Sequence, residues 1–279
     1  MKANKIQKYR KSVEKELAIV RRQEETLKKH KTAENSVQWR EVLTSKVPDK
    51  VYDNLLTVFA KAFSLIFDKG VAVIEKTYNQ EELADNYKIK EYAFRTKADR
   101  KSLRKIKDGA EKNHIRNMAV TTAEGIGLGA FGIGLPDIVI FVGVLLRGIY
   151  ETALHYGYRY DSREEQYFIL KMVEVSMLKG DAWVTGNAEI DEMMAQEPKT
   201  ERTPSDIKAQ IKRTSTAFAV DMILLKFVQG IPVVGMIGGA GNPVYYNRVM
   251  KYAELKYRKR RLMQLLNEIG EMQTVRKQK

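Results

Sequence analysis

Several polar side chains set in apolar surroundings have the types and spacing of a working site. Asp137 follows Pro136, and Arg147, Glu151 and His155 come after it at four-residue intervals, which places those three on one helix face. In a second apolar region Asp221 and Lys226 interrupt Phe218, Met222 and Leu225, and Asn242 precedes Pro243. If they converge, Asp137, Arg147, Glu151, His155, Asp221 and Asn242 form a polar pocket for a head group or small ligand. Carboxylates beside a histidine would also suit a hydrolase or transferase, with Asp137, Glu151, His155 and Asp221 sharing the acid and base work. The structural reading takes precedence. Asp137 stands at the positive end of a helix, Arg147 and Glu151 satisfy each other, and buried ionic groups perturb pKa values without catalysing anything.

Other chemistries are excluded more firmly. The 279 residues include no cysteine, which removes disulfides, thiolate zinc sites, iron–sulfur clusters and cysteine nucleophiles, and fits a reducing cytosol. His30, His114 and His155 are the only histidines, and a three-His metal site would need them all. No metal and no cofactor is expected. A G-x-G-x-x-G string does occur at Gly127, Gly129 and Gly132. A dinucleotide site needs a strand before it and an uninterrupted helix after it, and Pro136 arrives four residues later. There is no GxxxxGK[ST] phosphate loop and no HExxH.

The elements that position these residues read as helices almost throughout, and no alternating strand series appears; the fold class is all-α. Ile6, Val13, Val20 and Leu27 recur every seven residues, with Tyr9 and Leu17 beside them and Glu24 in the same seam. This is a long N-terminal helix packed along its own domain rather than a coiled coil. Val51 to Phe67 carries a second apolar face. Asn79 with Glu82 and Ser162 with Glu165 have N-cap and N3 spacing, Thr203, Pro204 and Asp206 open another helix, and Gly157 ends one. Twelve of the eighteen glycines fall in two apolar regions. Gly125 to Leu146 is 22 residues with Asp137 its only charge, and residues 227–246 carry none. Gly127, Gly129, Gly132 and Gly134 in the first and Gly235, Gly238 and Gly239 in the second make Gly-rich turns. Two Gly-rich apolar hairpins at the centre of a multi-helix domain are expected, because glycine lets helices approach closely. A membrane-inserting element is the competing reading, since the first segment reaches spanning length.

The net charge of +14 is unevenly spread. Residues 1–50, 88–112 and 248–279 carry +7, +6 and +7, while residues 151–200 carry −5. Residues 1–31 hold no apolar run long enough for a signal peptide. Arg100, Lys101, Arg104 and Lys105, with Lys256, Arg258, Lys259, Arg260 and Arg261, are therefore expected to form a basic surface. It would meet acidic lipid by attraction or nucleic acid by counter-ion release. No recognised reader fold accompanies the charge, so specific nucleic-acid binding is not expected.

One resemblance is carried by particular residues. GIGLPDIVIFVGVLLRGIYETALHYGYRYDSREEQYFILKMVE, residues 132–174, looks like the signature stretch of the EcsC protein family: a glycine-rich apolar turn, a helix ending in a Tyr-Gly step, then Asp and a Glu-rich helix start. IPVVGMIGGAGNPVYYNRVMKYAELKYRKRRL, residues 231–262, resembles the family's closing block, and VPDKVYDNLL its usual beginning. The resemblance divides the chain into a basic N-terminal helical extension (1–46), an EcsC-like helical domain (47–265) and a basic C-terminal tail (266–279). It carries over no catalytic residue. Gly132, Gly134, Asp137, Tyr156, Gly157, Gly235, Gly239 and Asn242 match recognisable motif positions. The family is named for a bacterial protein encoded beside an ABC transporter. The resemblance implies no established biochemical activity; with the basic helices beside it, the leading expectation is a cytoplasmic, non-enzymatic protein on the inner face of the cell membrane, meeting an anionic membrane surface or a membrane-protein partner.

Overall fold

The computed structural model describes residues 3–33, 49–67, 71–108, 136–196, 201–228 and 242–277. Nine helices are named here: α1 (Ala3–Ala33), α2 (Asp49–Leu65), α3 (Val71–Glu75), α4 (Gln80–Lys97), α5 (Pro136–His155), α6 (Arg163–Met177), α7 (Gly180–Ala195), α8 (Pro204–Val228) and α9 (Asn242–Lys277). A further helical stretch occupies residues 100–108, and no strand occurs among the described residues. The chain is all-α, as its 3.6-residue periodicity requires.

Local chemistry starts and stops these helices. The Asn79 side chain accepts the Glu82 amide at 3.1 Å and opens α4. Thr203 and Asp206 cap α8 reciprocally: Thr203 Oγ1 accepts the Asp206 amide at 3.2 Å, and Asp206 Oδ2 accepts the Thr203 amide at 2.7 Å. At α6 only half of such a box forms. Ser162 Oγ accepts the Glu165 amide, but the Glu165 carboxylate turns away to Tyr257 and Arg260 of α9. Helix α5 ends in paired 6→1 and 5→2 bonds, Tyr158 N–H to Ala153 O at 2.9 Å and Gly157 N–H to Leu154 O at 3.0 Å, which require a left-handed residue at Gly157. Its φ is +84°, and a Cβ there would lie 2.4 Å from the Tyr87 ring. Gly157→Ala is thus expected to cost about 2 kcal/mol through strain and overpacking. Urea denaturation showing wild-type stability would refute this account of the turn.

Helix α9, at 36 residues, runs about 54 Å at 1.5 Å per residue. It packs against α1, α5, α6 and α7, while α8 packs on α2 and α6, and α5 also touches α2, α3 and α4. Phe218 of α8 gathers Phe59, Phe63, Phe141 and Tyr245 around it, with ring centroids 5.1–6.1 Å apart. Within α5, Ile138–His155 is long and apolar enough to cross a membrane, yet 89% of it is buried against other helices. The Gly-rich turns at Gly127, Gly129, Gly132, Gly134, Gly235, Gly238 and Gly239 lie outside the described residues, as do the side chains of Asp137, Lys226 and Asn242.

The N-terminal helix is part of this body. Ile6, Tyr9, Val13, Leu17 and Val20 are all buried and join the common core, with Leu27 packed against it. The seven-residue stripe is therefore the inner face of α1, laid along α9 and α7. At the other end α9 continues through residue 266 without a break, and Ile269 is fully buried.

Candidate functional site

The basic run Lys256–Arg261 of α9 does not form a surface. Lys256 is fully buried, and Arg258 and Lys259 are 7% and 8% exposed. A cation at such depth survives only where a carboxylate meets it. Glu24, from the apolar seam of α1, bonds both Lys256 and Lys259, and Asp191 of α7 bonds the same two at 2.7 and 2.8 Å. Glu16, about two turns earlier on α1's inner face, takes Arg258 at 2.6 Å. Arg260 reaches Glu165 at 2.7 Å and lies over the Tyr158 and Phe168 rings. Arg261 pairs with Glu91 of α4 and with Glu268 at 3.0 Å. This corrects the expected basic surface at Lys256, Arg258, Lys259, Arg260 and Arg261. These side chains staple α9 to its neighbours.

The 100–108 helix is divided between the two roles. Arg100 and Arg104 turn back to Glu16, at 2.7 and 3.1 Å, whereas Lys101 and Lys105 remain exposed. Burial alone would raise the Glu16 and Glu24 carboxyls. For Glu16 the Arg100, Arg258 and Arg104 guanidinium groups, and for Glu24 the Lys256 and Lys259 ammonium groups, hold them below the ordinary carboxylate range instead.

The expected polar pocket is not a single place. Arg147 and Glu151 pair at 3.0 Å on α5, with Glu151 1% exposed, and His155 is buried one turn further on. Asp221 of α8 instead pairs with Arg248 of α9 and lies 3.6 Å from Lys179. It lines a cleft of about 390 Å³ between α8 and the α6–α7 junction, whose walls include none of Arg147, Glu151 and His155. The reason is geometric: α5 is enclosed by helices on nearly every side, while the Asp221 face of α8 points at Met177, Leu178 and Lys179. Among the described residues no three His, Asp or Glu side chains could hold a metal ion.

A regular outward basic row lies on α1. Lys8, Lys15, Arg22 and Lys29 repeat every seven residues and are all exposed, with Lys11, Arg21 and Lys28 exposed beside them. At 1.5 Å rise per residue the four span about 32 Å in a nearly straight row, with about 10 Å between neighbours. None of the seven is in an ion pair among the described residues; Arg10, nearer the helix start, pairs with Glu14 at 2.8 Å. The buried stripe of Ile6, Val13 and Val20 clamps the opposite face, so the row is held in place by the core. Counting +7 over residues 1–50 signals this charge; the heptad offset from Ile6, Val13, Val20 and Leu27 locates it.

The profile of the EcsC protein family matches residues 11–262, so the matched region opens inside α1 and takes in most of the segment 1–46. Among curated proteins, the uncharacterized protein YdbA of Bacillus subtilis (strain 168) is 26% identical over 167 residues, covering 58% of this chain and 59% of that protein. No solved structure matches the chain.

Proposed function

The chain belongs to the EcsC protein family, and we propose that it is a non-enzymatic accessory protein that binds peripherally to the anionic inner face of the cell membrane through the outer face of α1. The observation that carries this reading is the exposed row Lys8, Lys15, Arg22 and Lys29 on a helix whose other face is locked into the core. Each Lys or Arg near an acidic leaflet contributes only ~1 kcal/mol and acts within about a Debye length. A straight row satisfies that requirement on a flat surface, because every charge approaches it at once. Lys101 and Lys105 add to the outward charge. A membrane protein with an acidic face would be met by the same row.

The hydrolase or transferase reading has less behind it. Glu151 is held by Arg147 and Asp221 by Arg248, so both carboxylates already serve as counter-ions. Flotation of the protein with vesicles tests the proposal. Recovery with phosphatidylglycerol-containing vesicles at low salt, and its loss at 1 M salt where the Debye length is about 3 Å, is expected. Equal recovery with neutral and anionic vesicles at low salt would contradict it.

A further inference from the structure

The cleft beside Asp221 is lined by none of the residues of the basic row on α1. Its α8 wall runs Lys212, Arg213, Thr216, Ala217, Val220, Asp221, Leu224, and its other wall includes Met177, Leu178, Lys179 and Ala182. The polar side chains Lys212, Arg213 and Thr216 cluster at one end of α8's contribution, and the apolar ones follow over the next two to three turns. From Arg213 to Leu224 that wall is about 16 Å long. A volume near 390 Å³ lies within the ~300–1,000 Å³ of small-molecule sites, which are mostly apolar with a few placed polar groups.

The charges around the cleft resolve in favour of an anion at the Lys212–Arg213 end. Glu174 lines that region; Gln210 Nε2 donates to it at 2.5 Å, and Lys171 lies 3.1 Å from it and 2.6 Å from Glu189, so one ammonium is shared by two carboxylates. Asp221, at the apolar end, is 3% exposed as a side chain, and Arg248 takes its charge. Lys212 and Arg213 are exposed and have no carboxylate in ion-pair range among the described residues. Lys171, Lys179, Lys212, Arg213 and Arg248 against Glu174, Glu189 and Asp221 leave a local balance of +2, with Lys212 and Arg213 the cations at the mouth of the slot. We infer that this cleft binds a single-chain anionic amphiphile, a fatty carboxylate or an alkyl phosphate, with its head group on Lys212 and Arg213 and its chain laid along Ala217, Val220 and Leu224. The site is separate from the row on α1, so either can fail without the other.

Isothermal titration of the full chain with decanoate and with decyl phosphate distinguishes the two head groups; decanol and inorganic phosphate report the chain and the head group alone. At least one amphiphilic anion is expected to bind tenfold or more tighter than either decanol or phosphate. Lys212→Glu with Arg213→Glu, both at exposed positions, should weaken the anion at least tenfold and leave decanol within about twofold. Val220→Trp, which fills the slot from a half-buried position, should abolish binding of every chain-bearing probe while far-UV circular dichroism stays unchanged. Glutamine at Lys8, Lys15, Arg22 and Lys29 should leave decanoate binding as it was. Decanol or phosphate binding as tightly as both anions, or Val220→Trp binding like the wild type, would overturn the inference.

Discussion

Glu24→Ala is expected to destabilise the protein by about 3–5 kcal/mol, the cost of leaving buried charge without its partner. Its carboxylate meets Lys256, which has no exposure, and Lys259, which has little. With Glu24 gone, Asp191 alone would face both ammonium groups. The exposed neighbour Glu25 supplies the control: Glu25→Ala should stay within ±0.5 kcal/mol. The same carboxylate leaves a signature in pH. Because Lys256 and Lys259 hold its folded pKa below the ordinary 4.5, the native state resists protonation relative to the unfolded chain. The stability it supplies is thus fully present above the unfolded value and is lost as pH falls through the folded one. Glu16, held low in the same way by arginines, adds to that acid-side loss. Denaturant titrations at pH 7 and pH 4 are expected to show a smaller acid loss in Glu24→Ala than in the wild type. A variant within 1 kcal/mol of wild type at pH 7 would mean that α1 is not stapled to α9 through this residue.

Replacing Lys8, Lys15, Arg22 and Lys29 together by glutamine is expected to remove up to ~4 kcal/mol of attraction to an acidic bilayer, on the order of a thousandfold in partition. These side chains are exposed, so the fold should hold: each surface change is within about ±0.5 kcal/mol. The α9 cations give the opposite pattern. Lys256→Gln removes the same charge, but from the Glu24–Asp191 cluster, and should lower stability while leaving partition of the folded protein nearly unchanged. Vesicle partition and denaturant titration on both proteins separate the two effects. Unaltered partition in the fourfold variant would remove α1 from the account.

How far the sequence reveals this arrangement depends on the range of each interaction. The caps at Asn79, Ser162 and Thr203 and the turn at Gly157 are legible because their partners lie within a few residues. The buried stripe of α1 is legible because its period is fixed by the helix. Glu24 stands out as a charge in that seam, but its partners Lys256 and Lys259 are 232 and 235 positions away. A count of charge by segment assigns the cations near residue 260 to the surface. It cannot see that Glu16, Glu24, Glu91, Glu165 and Asp191 arrive from four other helices to meet them. The polar pocket misled for a related reason: Arg147, Glu151 and Asp221 are each individually paired, and helix packing sends them in different directions. The cleft is hidden because Ala217, Val220 and Leu224 at helical spacing read as ordinary core residues.

The absence of cysteine from the chain makes the contact face directly measurable. Ala18 is exposed on the outer side of α1, between Lys15 and Arg22, and Ala209 is exposed on α8, which packs on α2 and α6. A polarity-sensitive fluorophore attached in Ala18→Cys is expected to shift to the blue on addition of phosphatidylglycerol vesicles and not with neutral ones. The same label in Ala209→Cys is expected to report no change with either. An equal shift at both positions, or one at Ala209→Cys alone, would contradict the claim that α1 presents this protein to the membrane.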